Sequence, residues 1–155
     1  MAIFGAGKSG IAAAKLCSEK GLDYFIYDEG GQGDSTRFTE NEAKKFDIFV
    51  FSPGFPKDHR WLSIVRNFGS PCFGELGFAI SQWRGKVIGV TGTNGKTTVV
   101  SLLKSALNAL GVEAVTAGNI GQPLSEHCIQ HENCENTWAI CEISSFQAEL
   151  NLGIE

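Results

Sequence analysis

The sequence has no apolar run long enough to cross a bilayer, and its N-terminus shows neither a basic lead nor a cleavage site. It also has no excess of basic residues, because 13 lysines and arginines stand against 17 aspartates and glutamates, for a net charge of −4. That balance argues against a general affinity for nucleic acid or anionic membranes. We therefore predict a cytoplasmic protein with no membrane insertion and no nucleic-acid partner.

The cysteines do not form the pattern of a disulfide framework. The five cysteines are scattered and odd in number, which suits a reducing compartment. An apolar fraction of 43% over 155 residues predicts a folded chain of one ordinary domain or two small ones.

The first half of the chain has the pattern of a dinucleotide-binding fold. A short apolar strand precedes G-x-G-x-x-G at residues 5–10, and a helix and a second strand ending at Asp28 follow. Glycines allow close approach, and a helix N-terminus offers free N–H groups to a phosphate. A tight strand-to-helix turn that binds nothing would give the same motif, so both interpretations stay open.

A third strand, residues 47–51, ends in Ser52-Pro53-Gly54, at the place where open α/β sheets bind ligands. Pro-Gly also forms turns that bind nothing. A fourth short strand near residues 71–73 and a helix from about Glu75 complete an alternation that predicts a parallel sheet. Arg84-Gly85 then precedes a fresh apolar strand, which predicts a domain boundary there.

Residues 90–100, V-T-G-T-N-G-K-T-T-V-V, lie between a predicted strand and a predicted helix, where a phosphate-binding loop is expected. The strict P-loop pattern would need a glycine where Val90 stands. Lys96 could reach a terminal phosphate, and the Thr97 hydroxyl could reach Mg²⁺. The alternative is a helix start that is capped by Thr93 or Asn94.

The next two predicted strands end in Gly118-Asn119-Ile120-Gly121 and in Glu142, which Ser144-Ser145 follow. A carboxylate at a strand end beside a phosphate loop is well placed to hold a metal ion. A surface or helix-capping role is the commoner one for a lone glutamate.

These motifs, G-T-N-G-K-T-T, G-N-I-G-Q-P-L and E-I-S-S-F-Q, resemble in their order the Mur ligase family, and with S-P-G they resemble its D-glutamate-adding branch. The loop in that family is a shortened G-x-x-G-K-[ST], which accounts for Val90. The resemblance covers the whole chain. It implies an α/β fold with a Rossmann-like UDP-sugar-binding domain at residues 1–84, followed at 85–155 by the first part of a P-loop-like ATPase domain.

The resemblance implies an ATP- and Mg²⁺-dependent ligase that adds D-glutamate to UDP-N-acetylmuramoyl-L-alanine through an acyl phosphate, in peptidoglycan precursor synthesis. It implies that Lys96, Asn119 and Glu142 are catalytic and that Thr97 and Glu142 hold the metal. The ATP-binding residues would be Gly92, Thr93, Asn94, Gly95, Lys96, Thr97 and Thr98. The UDP-sugar would be bound by Lys8, Ser9, Asp28, Ser52, Pro53 and Gly54.

Family members are longer, so the resemblance also implies an N-terminal fragment, monomeric and inactive alone, without the D-glutamate-binding domain. We expect an unpaired edge on the strand around Ala139 to Ile143, low stability of the second half and weak or absent ATP affinity. An arginine often follows the acid of the second strand in this family, but here Glu29-Gly30-Gly31 follow Asp28.

Other functions stay open at this stage. They are another Mur ligase, a nicotinamide-dependent oxidoreductase that uses the first glycine motif, and a non-catalytic nucleotide-binding module. A zinc site is a further alternative, with a spacing that fits no standard zinc pattern, at His127, Cys128, His131 and Cys134.

Overall fold

The computed structural model describes residues 1–56, 58–131 and 135–149, and these residues form seven strands and seven helices. In chain order the elements are β1 (Ala2–Phe4), α1 (Lys8–Glu19), β2 (Phe25–Tyr27), α2 (Glu40–Ala43), β3 (Phe49–Phe51), α3 (Arg60–Phe68), β4 (Cys72–Gly74), α4 (Glu75–Gln82), β5 (Lys86–Val90), α5 (Lys96–Ala109), β6 (Ala114–Gly118), α6 (Leu124–Gln130), β7 (Trp138–Glu142) and α7 (Ser145–Glu149). The predicted α/β class with parallel sheets is confirmed.

The first four strands form one parallel sheet in the order β2-β1-β3-β4. Ile3 of β1 lies opposite Ile26 on one side and Val50 on the other. The strands are wholly apolar because both faces of this sheet are covered. On one face Phe4 stacks on Phe51, with ring centroids 4.2 Å apart, within an aromatic cluster that also contains Trp61.

Helix α3 was not predicted from the sequence. Its buried face is formed by Trp61, Leu62 and Val65, which have helical spacing, and Gly69 ends the helix in the left-handed conformation with φ of 70°. The start of the helix carries an uncommon signal. His59 Nδ1 accepts a hydrogen bond from Trp61 N at 3.2 Å, so a histidine occupies the position where a serine or aspartate is usual.

The last three strands form a second parallel sheet in the order β5-β7-β6. β7 pairs along its whole length with both neighbours, so Ile140 lies between Ile88 and Thr116. The expected unpaired edge at Ala139 to Ile143 is therefore wrong. The last strand in the described part of the chain is central in its sheet, which explains why Ala139, Ile140 and Cys141 are completely buried.

Helices from the two halves pack together between the sheets. α1 and α4, from the first half, contact α6, and one core cluster contains Ala13, Leu76 and Leu124 together with Ala139 of β7. The predicted division at residues 84 and 85 falls between the two sheets and stays a prediction.

Helix α5 covers one side of the second sheet with only part of its apolar surface. Val100 is buried, and Leu103 and Leu107 pack beside it. Leu102 and Leu110, which also have helical spacing, are 64% and 79% exposed. No helix in the described ranges is long and apolar enough to cross a membrane.

Candidate functional site

The glycine-rich turn after β5 leads directly into α5. Gly95 is the N-cap of the helix, with φ of 77°, and Gly92 has φ of 142°, so both glycines occupy conformations that other residues rarely adopt. No side chain caps the helix start, so the alternative of a cap by Thr93 or Asn94 is wrong. The first-turn N–H groups of a 14-residue helix are therefore not satisfied by a capping side chain, as a phosphate-binding loop requires.

Lys96 lies folded over this loop. Its Nζ donates a hydrogen bond to the carbonyl oxygen of Gly92 at 2.8 Å. The contact keeps the ammonium group above the loop, close to where a bound phosphate would meet the helix N-terminus.

Glu142, at the end of β7, is hydrogen-bonded to two other predicted site residues. Its Oε2 accepts a hydrogen bond from Thr97 Oγ1 at 2.6 Å, and its Oε1 accepts one from Asn119 Nδ2 at 3.0 Å. These bonds, the one from Thr97 above all, hold the pKa of Glu142 below its usual value, and the charge of Lys96 acts in the same direction. The residue is only 3% exposed. The site thus contains an ionised carboxylate beside a hydroxyl group.

The loop that carries Asn119 is fixed against the same strand end. Asn119 N donates to the carbonyl oxygen of Glu142 at 2.8 Å. Gly118 has φ of 91°, and a Cβ at this position would overlap that same carbonyl oxygen. The loop therefore needs a glycine here for two reasons, backbone conformation and close approach.

In the first half, every predicted UDP-sugar residue lines one open cavity of about 410 Å³. Its lining consists of Gly5, Gly7, Lys8, Ser9, Asp28, Ser52, Pro53, Gly54 and Phe55. The structure thus brings together two loops that are more than forty residues apart, because β1 and β3 are neighbours in the sheet. Phe55 was not predicted, although it follows Ser52-Pro53-Gly54 directly.

Asp28 connects the first glycine loop to the loop that follows β2. Its Oδ1 accepts the backbone N–H of Ala6 at 3.0 Å and its Oδ2 accepts that of Gln32 at 3.2 Å. The bond from Ala6 is the main reason that the pKa of Asp28 lies below its usual value. Asp28 therefore holds the loop in shape as well as lining the cavity.

A second cavity, of about 190 Å³, lies between the halves. Lys8, Ser9 and Pro53 line it from the first half, and Asn119 and Gly121 are among its lining residues from the second. Lys8 Nζ also donates to the carbonyl oxygen of Gly121 at 3.0 Å. Because Lys8, Ser9 and Pro53 line both cavities, an elongated ligand could reach from the first cavity to Asn119.

The alternative of a zinc site gains no support. His127 Nε2 is 3.2 Å from the carbonyl oxygen of Thr116, and burial lowers the pKa of this histidine. Cys134 lies outside the described residues. Among the residues that the structure describes, no group of three or more His, Cys, Asp or Glu side chains could hold a metal ion.

Comparisons with known proteins agree with the motifs. Residues 90–153 match the family model of the Mur ligase middle domain. Proteins named UDP-N-acetylmuramoylalanine–D-glutamate ligase from Lachnospira eligens, Bacteroides fragilis and Aquifex aeolicus are 33%, 34% and 36% identical to this chain, each over 95% of it. The chain spans 36% of the length of the first two and 34% of the third.

Solved structures with similarity to this chain include UDP-N-acetylmuramate:L-alanyl-gamma-D-glutamyl-meso-diaminopimelate ligase from Neisseria meningitides, with a TM-score of 0.49 and 20% identity over 91% of this chain and 51% of that one. Another is pseudomurein peptide ligase type C from Methanothermus fervidus, with a TM-score of 0.44 and 22% identity over 92% of this chain and 33% of that one. Residues 90–153 are thus similar to the Mur ligase middle domain, and 95% of the chain aligns with curated ligases of this family.

Proposed function

We propose that the chain provides the phosphate loop and the UDP-sugar cavity of an ATP-dependent ligase that adds D-glutamate to UDP-N-acetylmuramoyl-L-alanine. The observation that carries this proposal is the contact of Glu142 with both Thr97 and Asn119, directly beside the phosphate loop. The names and lengthwise alignment of the relatives support the choice of substrates.

In this proposal the loop residues 92–98 bind the phosphates of ATP. Free N–H groups at the start of α5 and the ammonium group of Lys96 would neutralise the negative charge. Lys96 would exchange its present bond to Gly92 for one to a phosphate oxygen, a short movement because Gly92 belongs to the same loop.

Thr97 and Glu142 would hold Mg²⁺. The residues fit this ion, since a hydroxyl and an ionised carboxylate are oxygen donors of the kind that Mg²⁺ prefers. The ion supplies charge neutralisation for phosphoryl transfer when bound. Asn119 would keep its bond to Oε1 of Glu142 and hold the carboxylate in orientation.

The cavity of the first half would bind the uridine diphosphate end of the substrate. Lys8 and the loop at Ser52 to Gly54 supply a cation and backbone groups for the phosphates. The sugar and the alanyl carboxylate would extend through the second cavity to Asn119. The γ-phosphoryl group passes to this carboxylate, ADP leaves, the amine of D-glutamate attacks the acyl carbon, and phosphate departs. These substrates indicate a cytoplasmic enzyme with small-molecule partners.

The first test is calorimetric titration of the 155-residue chain with MgATP. We expect Lys96→Ala to weaken binding by at least about tenfold, as the loss of a positioned charge should. Lys104→Ala, which removes the same charge two turns further along α5, is the matched control. Equal affinities in the two variants would contradict the assignment of the loop.

A second arm separates the metal from the nucleotide. Glu142→Gln should raise the Mg²⁺ concentration needed for ATP binding and leave UDP binding unchanged, because Glu142 lies outside the first cavity. Titration with NADH in place of UDP tests the first glycine loop, and preference for NADH would argue against a UDP-sugar ligase.

A further inference from the structure

A buried carboxylate joins the two halves of the chain away from the phosphate loop. Glu75 is 1% exposed, and its Oε1 accepts hydrogen bonds from the backbone N–H of Ser125 at 2.9 Å and from its hydroxyl at 2.6 Å. Burying a carboxyl group costs free energy unless it is hydrogen-bonded. An apolar contact between α4 and α6 would avoid that cost, so the presence of a buried polar contact here needs a physical explanation.

The two residues lie at the starts of two packed helices. Glu75 is the first residue of α4, directly after the last strand of the first sheet, and Ser125 is the second residue of α6. α6 has no side-chain cap of its own, since Pro123 precedes it. Glu75 therefore caps a helix of the other half, at the end where the helix dipole favours a negative group.

The helix that Glu75 caps follows the loop at residues 119–123, which carries Asn119. At its strand end this loop is fixed by the bond of Asn119 N to the Glu142 carbonyl oxygen. At its helix end Ser125 is fixed by Glu75. The contact of Lys8 with Gly121 also reaches the loop, but it is exposed, so water can replace it.

We propose that Glu75 is a positioning residue, which acts from the first half to fix the start of α6 and so sets the place of Asn119 beside Glu142. Two short hydrogen bonds to one residue define an orientation, which apolar packing does not. The loop also forms one wall of the cavity between the halves, so Glu75 sets the distance that a ligand must span there. The consequence for catalysis rests on the proposed function, whereas the effect on the loop does not.

The test is amide hydrogen exchange on the 155-residue chain, corrected by the global free energy of unfolding from urea titration. In Glu75→Ala we expect residues 118–125 to exchange at least about tenfold faster than in the wild type, beyond any global change. Glu75→Gln keeps an acceptor oxygen and should restore most of the protection. Ser125→Ala keeps its backbone N–H and should give an intermediate result.

Thr137→Val is the matched control. The Thr137 hydroxyl is buried and donates to Glu113 Oε2 at 2.8 Å, just before β7 begins and thus at the end of the strand opposite Glu142. In Thr137→Val the exchange rates of residues 118–125 should change no more than those of the rest of the chain. If Glu75→Ala does not fold, Glu75→Gln and Ser125→Ala decide the matter.

Loop exchange in Ser125→Ala and Glu75→Ala that is no faster than in Thr137→Val would overturn the proposal. UDP and MgATP are titrated into the same variants, and Glu75→Gln should keep the wild-type UDP affinity because Glu75 does not line the first cavity. A wild-type chain that binds neither nucleotide would count against the proposed function, while the exchange result would still decide the role of Glu75.

Discussion

Two carboxyl groups of this chain have opposite surroundings. The Ala6 N–H holds the pKa of Asp28 below its ordinary value. Burial raises the pKa of Glu75, and the nearby charge of Glu126 adds to this, although the two bonds from Ser125 act the other way. The chemistry of the side chains is the same, so hydrogen bonding dominates in one place and desolvation in the other.

The two groups should therefore give opposite pH profiles. Because folding lowers the pKa of Asp28, this carboxylate stabilises the folded state at pH values above its ordinary pKa of 3.8. The stabilisation is lost as the pH falls through the pKa of the folded state. We expect Asp28→Asn to cost about 1 kcal/mol near neutral pH and progressively less in acid. Because folding raises the pKa of Glu75, the protonated group stabilises the folded state at pH values below its ordinary pKa of 4.5. This stabilisation is lost as the pH rises through the pKa of the folded state.

As the pH rises, the free energy of unfolding of Glu75→Gln should therefore increase relative to the wild type. That of Asp28→Asn should decrease relative to the wild type. Urea unfolding from about pH 3 to 7 measures both differences. Parallel profiles for the two variants would show that the two environments are not opposite.

The site residues at strand ends could be predicted from the sequence, and Glu75 could not. Thr97 and Asn119 lie beyond the ends of β5 and β6, and Glu142 is the last residue of β7 in the same parallel sheet, so their meeting follows from the fold. Glu75 stands in G-E-L, where an acid in the first turn of its own helix is ordinary. Its partner is fifty residues away, and local sequence carries no sign of it.

At the scale of elements, the docking of α1 depends on one glycine of the first motif. A Cβ at Gly10 would overlap the carbonyl oxygen of Gly5, and this backbone atom cannot move without shifting the loop. Gly7 has nothing within 4 Å of such a Cβ and has φ of −74°. The sequence motif contains three glycines. Only the space around each one in the structure shows which of them packing requires.

We expect Gly10→Ala to lower the free energy of unfolding by about 1–3 kcal/mol, since it overpacks the junction of α1 with β1. Gly7→Ala is the matched control and should change it by less than about 0.5 kcal/mol. Urea unfolding of the two variants measures both. Equal losses would mean that the helix can move away from the loop at no cost.

Across the whole molecule, the halves share apolar packing that the sequence did not predict. Helical periodicity predicts that a helix has an apolar face, but it does not say which element covers that face. Here α1 and α4 face α6, and their residues belong to one core cluster with β7. The expectation of a weak second half rested on an unpaired β7, which the observed pairing contradicts.

We therefore expect the two halves to unfold together. In native-state amide exchange, the most protected amides of β3 and β7 should show the same free energy of opening, because opening either sheet exposes the shared core. Leu124→Ala, at the centre of that core, should lower both values by about 2–5 kcal/mol. A loss confined to β7 would show that the halves are independent units.

The central place of β7 also sets the order in which the molecule can assemble as it is made. β5 and β6 leave the ribosome before β7, yet among the described strands each pairs with β7, which begins at Trp138. Pairing between β5 and β7 closes a segment of about fifty residues, a non-local contact of the kind that slows folding. The glycine-rich loop before α5 thus receives Glu142 from a strand that is synthesised about fifty residues later, so the proposed nucleotide site is complete only once β7 is inserted.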